Sequence, residues 1–247
     1  MKDRRSRDIR LGVVCPMANE EQTAVRFIEA VLTYCQSYGF KSVEMFVVLD
    51  RACKDRTLAF LTTQAQEQLA LRVIWAPENN NVVDAYLRGY REALAAGCDW
   101  ILEIDAGYSH QPEDIPKFFD AMTRGYDCVF GSRFCTGGSV SETSLKRRVI
   151  SRVGTWLTNM FIGTTLRDMT SGFELFSREA LTRVLMRGVE SKGPFFQTEI
   201  KCYCRNLQIA EVPIQYRAAS HSVDARALQD SIGNLWRLFN LRIQDRL

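Results

Sequence analysis

A chain of 247 residues with 46% hydrophobic content is long enough to bury a full core, and it fits one large domain better than two small ones. Its 32 basic and 29 acidic residues leave a net charge of +3, too near balance for the footprint of a nucleic-acid binder, so no nucleic-acid partner is expected. No window approaches the run of about 18 apolar residues that a membrane span needs, and the N-terminus lacks a signal-peptide core, so a cytoplasmic location is expected.

The opening MKDRRSRDIR carries five basic and two acidic residues and reads as a flexible basic tail over 1–10, with weak contact to anionic lipid as the alternative. Residues 11–16 form a short apolar strand ending at Pro16. Asn19, Glu20 and Glu21 then turn the chain into a helix with apolar residues at Ala24, Phe27, Ile28, Val31 and Leu32. Residues 45–49 make a second strand that delivers Asp50 at its carboxyl end, before a helix from about Thr57 carrying Leu58, Leu61, Ala65 and Leu69. Residues 71–75 are a third strand, Asn79, Asn80 and Asn81 a turn, and Val83, Leu87, Tyr90 and Leu94 a helix that Gly97 stops.

The fourth strand lies in WILEIDAGYSHQP (100–112), where Ile101, Leu102 and Ile104 run into one acid, Asp105, and a turn containing Gly107, Ser109 and His110. A helix follows to Gly125, and 128–130 is a fifth strand leading to Gly131, Ser132 and Arg133. Strands alternating with helices predict an α/β fold with a mainly parallel, Rossmann-like central sheet covered by helices, whose ligands gather at the carboxyl edge.

Beyond it, 135–144 reads as a mobile loop, and Leu145, Val149, Val153, Trp156, Leu157, Met160 and Phe161 fall at helical spacing behind a basic cluster of Lys146, Arg147, Arg148 and Arg152. That cluster is either a solvated face or a clamp for an anionic group. Residues 168–176 predict a turn into a strand, 178–187 and 196–207 helices, and 209–216 a strand that Pro213 assigns to an edge or a strand end. From Leu228, the residues Ile232, Leu235, Trp236, Phe239 and Ile243 share one face of an amphipathic helix (228–247), suited to a membrane interface or to packing on protein. Most of the eight cysteines sit inside apolar patterns, and the spacing of Cys202 and Cys204 matches no zinc or redox motif, so a reduced chain without structural zinc is expected.

Several stretches together resemble the family 2 glycosyltransferases, most closely their dolichol or polyprenol phosphate sugar (mannose) synthases. They are VVCPMANEE (13–21), VVLDRACKDRT (47–57), IDAGYSHQPEDIP (104–116), GSRF (131–134), RDMTSGFELFSREAL (167–181), FQTEI (196–200) and AEVPIQY (210–216), in the family's order. The resemblance implies a single GT-A type domain over 11–227, with a nucleotide half at about 11–134 and an acceptor half at about 135–227. It also implies inverting transfer of a hexose from a nucleotide-diphosphate sugar, with Mg or Mn, to a polyprenyl phosphate, by a chain peripherally associated with the membrane. The oligomeric state stays open.

In that scheme Pro16, Asn19, Glu20, Asp50, Asn80 and Asp105 bind the donor nucleotide. Asp105 lies by the metal-bound diphosphate, Arg133 pairs with phosphate, Arg147 or Arg148 clamps a phosphate, and Glu199 is a base for a hydroxyl acceptor or holds a basic side chain. The chain departs from the pattern at Arg51, at Asn81 and above all at Gly107, where the second Asp of Asp-x-Asp, often the metal ligand, is usual. Glu103, Ser109 or His110, solvent and diphosphate oxygens around Asp105 alone, or basic residues in place of the metal are the candidate substitutes. The alternatives to the leading activity are transfer to a hydroxyl acceptor and a catalytically silent nucleotide-binding or scaffold homologue.

Overall fold

The computed structural model describes residues 6–141, 144–217 and 225–247. Of the basic opening segment, residues 1–5 lie outside the described residues; Ser6–Asp8 form a short 3-10 turn and Arg10 already opens the first strand.

The alternation read from the sequence builds the front half: β1 (Arg10–Pro16), α1 (Ala24–Ser37), β2 (Ser42–Leu49), α2 (Thr57–Glu67), β3 (Leu71–Trp75), α3 (Val82–Ala95) and β4 (Trp100–Glu103). A 3-10 turn at Pro112–Asp114 feeds α4 (Ile115–Met122), and β5 (Cys128–Ser132) follows. Neighbouring residues of each strand point to opposite faces. Val13 and Leu102 accordingly join the core under α1, α2 and α4, while Val14 and Ile101 join the one under α3. Leu69, grouped with the apolar face of α2, lies beyond that helix and is exposed.

The second half runs β6 (Ser139–Ser141), α5 (Leu145–Ile162), β7 (Glu174–Ser177), α6 (Arg178–Arg187), α7 (Phe196–Tyr203), β8 (Ile209–Pro213), β9 (Gln215–Arg217) and α8 (Ala225–Ile243). The main sheet has seven strands in the order β3-β2-β1-β4-β7-β5-β8, parallel except for β7, which is antiparallel to both neighbours. The fifth strand of the parallel series is therefore not adjacent to the fourth.

Two expectations are corrected here. The 135–144 loop contains β6, which pairs in parallel with β9 as a separate two-stranded ribbon. The single strand at 209–216 is two strands: Pro213 ends β8 at the sheet edge, where its missing N–H costs no ladder bond, and the chain leaves through Ile214 to the ribbon.

A third difference concerns α5. The helix expected from its apolar spacing forms, but that spacing does not mark the buried face: Leu145, Val149, Val153, Trp156 and Met160 are exposed while Thr155, Thr158 and Ile162 are buried. The helix lies across the back of the molecule beside α8, with Phe161 edge-on to Phe239 and Arg242 donating to the Phe161 carbonyl. On α8 the exposed apolar residues are Leu228, Ile232, Trp236 and Ile243, whereas Leu238 is buried. Among the described residues no helix is long and apolar enough to cross a membrane.

Candidate active site

Asp105 stands just past the carboxyl end of β4, beside the ends of β1 and β7. Its position is set from α3: the Tyr86 hydroxyl donates to Asp105 Oδ1, and one helical turn on, Tyr90 donates to Glu103 Oε2. Four residues of helix advance about 6 Å and two residues of strand about 6.6 Å, so the two hydroxyls meet the two carboxylates in register. Burial, reinforced by the charges of Asp105 and Glu103, pushes the Tyr86 phenol well above its ordinary value and keeps it a donor.

Glu103 cannot replace a missing acid at the edge. It is fully buried, takes a second hydrogen bond from Gln197, and faces Glu174 across the β4–β7 pair. Burial, then the Glu174 charge, push its carboxyl well above the usual range. Glu174 is in turn held by the buried ammonium of Lys201.

The turn after β4 is tight because Gly107 and Tyr108 both adopt left-handed backbone, at φ 76° and 59°. It returns the chain so that Phe27 meets the Tyr108 ring edge-on and His110 bridges to Tyr216 of β9. His110 is 1% exposed, and its Nδ1 lies 3.4 Å from Asp105 Oδ2. Burial holds its imidazole below the ordinary value against the pull of Asp105, so the side chain is neutral at pH 7. Ser109 is half-buried, and its carbonyl accepts from Arg217 N–H at 2.9 Å.

In front of this edge lies a cleft of about 360 Å³ bounded by Pro16, Met17, Asp50, Arg51, Asn80 and Asn81. Of the six residues expected to bind the donor nucleotide, Pro16, Asp50 and Asn80 line it. Asp50 Oδ1 takes the Ala52 N–H at 2.8 Å, and Asn80 N–H donates to Asp84. The Asn19 amide is spent on backbone: it donates to the Ala52 carbonyl and accepts from Lys54 N–H, pinning the loop that carries Asp50. Asn19 therefore shapes the cleft without lining it. Asn81, the other departure in this region, caps α3 by accepting from Asp84 N–H.

Behind Asp105, the Arg133 guanidinium, expected to pair with phosphate, is paired within the chain. It is 8% exposed and forked onto Asp168, with Nε–Oδ2 at 2.7 Å and Nη2–Oδ1 at 2.8 Å, and its Nη2 also reaches Thr170. Of the two candidate clamp residues, Arg148 donates at 2.9 Å to the carbonyl of Val140, the β6 residue paired with Tyr216. Arg147 Nη2 lies 3.5 Å from the Tyr216 hydroxyl, whose ring contacts both His110 and the Arg133 guanidinium. Arg147 is the one of the two that reaches the Tyr216 side chain.

Glu199 is likewise not placed as a base. Its carboxylate accepts from the backbone of Glu190 and Ser191, the Ser191 and Tyr203 hydroxyls, and Arg237. Burial raises its carboxyl, but these hydrogen bonds outweigh burial and hold it below the usual range. It fastens α7 to α8.

Among the described residues no three His, Cys, Asp or Glu side chains gather to hold an ion unaided. The acids at this edge, Asp105 and Glu20, offer only oxygen. That donor set fits a hard divalent cation such as Mg or Mn, which takes one or two carboxylates and completes its shell with phosphate and water. The residues that sequence reasoning missed are Tyr86, Tyr216 and Asp168. Tyr86 and Tyr90, spaced four apart opposite acids spaced two apart, were a legible signal; the partner of Arg133 depends on long-range folding and was not.

The family model described as Glycosyl transferase family 2 matches residues 12–185. Undecaprenyl-phosphate mannosyltransferase of Micrococcus luteus is 33% identical over 172 residues, 69% of this chain and 70% of that protein. Dolichol-phosphate mannosyltransferase of Pyrococcus furiosus is 26% identical over 240 residues, 93% of this chain but 64% of its own length, so the chain spans under two thirds of that relative. The fold is shared with glucosyl-3-phosphoglycerate synthase from Mycobacterium tuberculosis, solved in complex with Mn2+, uridine-diphosphate-glucose and phosphoglyceric acid. That likeness has a TM-score of 0.66 at 18% identity and covers 94% of this chain and 80% of that one. The GT-A architecture and the match over most of the motifs agree: the chain is a glycosyltransferase and belongs to glycosyl transferase family 2.

Proposed function

We propose that this chain transfers a hexose, with inversion, from a nucleoside-diphosphate sugar to a polyprenyl phosphate at the cytosolic face of a membrane. The observation that carries the reading is the division of one sheet edge into two chemistries. In front of Asp105 lies the cleft of Pro16, Asp50 and Asn80, and behind it Arg147 opens a helix whose apolar stripe faces outward. The names of the relatives, mannosyltransferases of undecaprenyl and dolichol phosphate, support the same acceptor class.

Asp50 accepts a hydrogen bond from base or ribose, and Asp105, fixed by Tyr86, faces the diphosphate. A divalent cation held there by carboxylate oxygens would offset the charge that develops on the departing diphosphate. Arg147 draws the acceptor phosphate to the opposite side of the sugar. One phosphate oxygen bonds to the anomeric carbon while the bond to the diphosphate oxygen breaks, and that electron pair leaves with the nucleotide. No proton is transferred, because the acceptor is already ionised; that the base expected for a hydroxyl acceptor, Glu199, is fully hydrogen-bonded supports a phosphate acceptor over a hydroxyl.

The outward faces of α5 and α8 rest on lipid, and the exposed Lys146 and Arg152 meet anionic headgroups. The test is transfer by the purified chain with Mg or Mn, a panel of nucleotide sugars and a short polyprenyl phosphate. Product formation, lost in Asp105→Asn, is expected; the absence of both transfer and donor hydrolysis would sink the reading and favour a silent homologue, and a rate unchanged in Asp105→Asn would remove Asp105 from the chemistry.

A further inference from the structure

Two residues beyond Asp105, where an acid is usual in the family this chain belongs to, Gly107 has no side chain, and the space one would enter is already taken. A Cβ on Gly107 would lie 2.9 Å from Glu20 Oε1 and 3.4 Å from Oε2. Those oxygens come from another part of the chain, the turn after β1. Glu20 is held there from two sides: its N–H donates to Thr57 Oγ1 at 2.8 Å, and the Thr23 hydroxyl donates to Oε2. The neighbouring Asn19, at φ 60°, is clamped to the α2 loop by both ends of its amide, which fixes where the Glu20 side chain leaves the backbone.

A second observation points to a ligand at this spot. His110 is 1% exposed, neither of its ring nitrogens has a hydrogen-bond partner among the described residues, and Nδ1 lies 3.4 Å from Asp105 Oδ2. A buried imidazole left unsatisfied beside an acid is the kind of group that a bound, hydrated ion would satisfy.

We infer that Glu20 supplies the second carboxylate for the divalent cation, reaching over Gly107 to stand where the side chain of residue 107 would otherwise be. The acidic pair is thus assembled from two segments of chain, Asp105 after β4 and Glu20 after β1. Gly107 is the condition for this arrangement rather than the loss of a site. A side chain there would have to adopt φ 76° and would collide with the Glu20 carboxylate, and an Asp would also repel it.

The inference rests on the donor reading above, and its test separates the two. Mn2+ binding to the full chain is followed by electron paramagnetic resonance in the presence of UDP and of GDP, and nucleotide binding is measured without metal. Glu20→Gln, which keeps an acceptor for Thr23, is expected to weaken Mn2+ binding on the order of 10- to 100-fold, the scale of losing even a supporting metal-site group. The melting temperature stays at the wild-type value, and metal-free nucleotide affinity falls far less than Mn2+ affinity does. Gly107→Ala removes no oxygen but displaces the Glu20 carboxylate, so it lowers Mn2+ affinity in the same direction and answers the question should Glu20→Gln fold poorly.

Wild-type Mn2+ affinity in both variants overturns the inference and leaves the donor reading standing. Nucleotide binding by the wild type with no Mn2+ uptake overturns the inference together with the metal-dependent form of that reading. Binding of neither nucleotide nor Mn2+ by the wild type overturns both.

Discussion

Asp105 owes its precision to a side chain on another element. Without the Tyr86 hydroxyl, Asp105 Oδ1 has no donor from α3 and the carboxylate is free to rotate. Tyr86→Phe is therefore expected to lower kcat/KM on the order of tenfold, the worth of roughly one hydrogen bond to a charged group, with little change in melting temperature. An unchanged kcat/KM would mean that Asp105 needs no such holding. Glu199 predicts the reverse pattern. Glu199→Gln keeps the shape but strips the charge that Arg237 and two backbone N–H groups share, at a cost of about 1–3 kcal/mol of stability. The transfer rate of the folded protein and its pH profile stay the same, and a lost acidic limb, the one a general base sets by its protonation, would instead make Glu199 a base after all. The sequence singled out Asp105 and Glu199 alike as acids in family motifs. What separates them is the number of donors that converge on each, and those donors come from residues such as Arg237 that no local pattern links to position 199.

At the level of the element, the helical spacing of α5 was legible but its orientation was not. Periodicity says which residues share a face, never which way the face points. In α5 it is the threonines that turn inward, and Trp156 and Trp236 remain 62% and 59% exposed on neighbouring helices. Leaving such a stripe in water forgoes the burial energy of several large side chains, which the proposed interfacial lipid contact would restore. Trp156→Ala combined with Trp236→Ala is expected to abolish co-flotation with vesicles containing anionic lipid, leaving the melting temperature intact because neither ring is buried. Wild-type protein that stays in solution with such vesicles would contradict the assignment. The β6–β9 ribbon marks another limit of local reading: three residues of ordinary loop composition become a strand only because Pro213 and Ile214 lead β9 alongside them.

For the whole molecule, the alternating front half was legible because each parallel strand is followed by its covering helix. The insertion of antiparallel β7 between β4 and β5 was not, since strand order depends on pairings between distant segments. That insertion brings 168–174 against the front half, and its strongest polar tie is the buried Arg133–Asp168 fork. Asp168→Asn leaves a buried guanidinium without its counter-charge and is expected to cost about 3–5 kcal/mol at pH 7. Burial raises the Asp168 carboxyl, but the adjoining Arg133 charge and hydrogen bonds more than offset it, so its folded value lies below the ordinary one. The folded state therefore binds this proton less tightly than the unfolded chain. The fork's contribution is complete above the unfolded value of about 3.9 and is lost as pH falls through the lower folded value. Glu174 has the opposite sign: burial raises it to about 7 against the pull of Lys201, so its share of stability declines as pH rises from about 4.3 toward 7. Melting curves taken from pH 3 to pH 8 should show the Asp168→Asn variant destabilised most at neutral pH and converging on the wild type in acid. A deficit that stays constant down to pH 3 would show that the fork is not what joins the two halves.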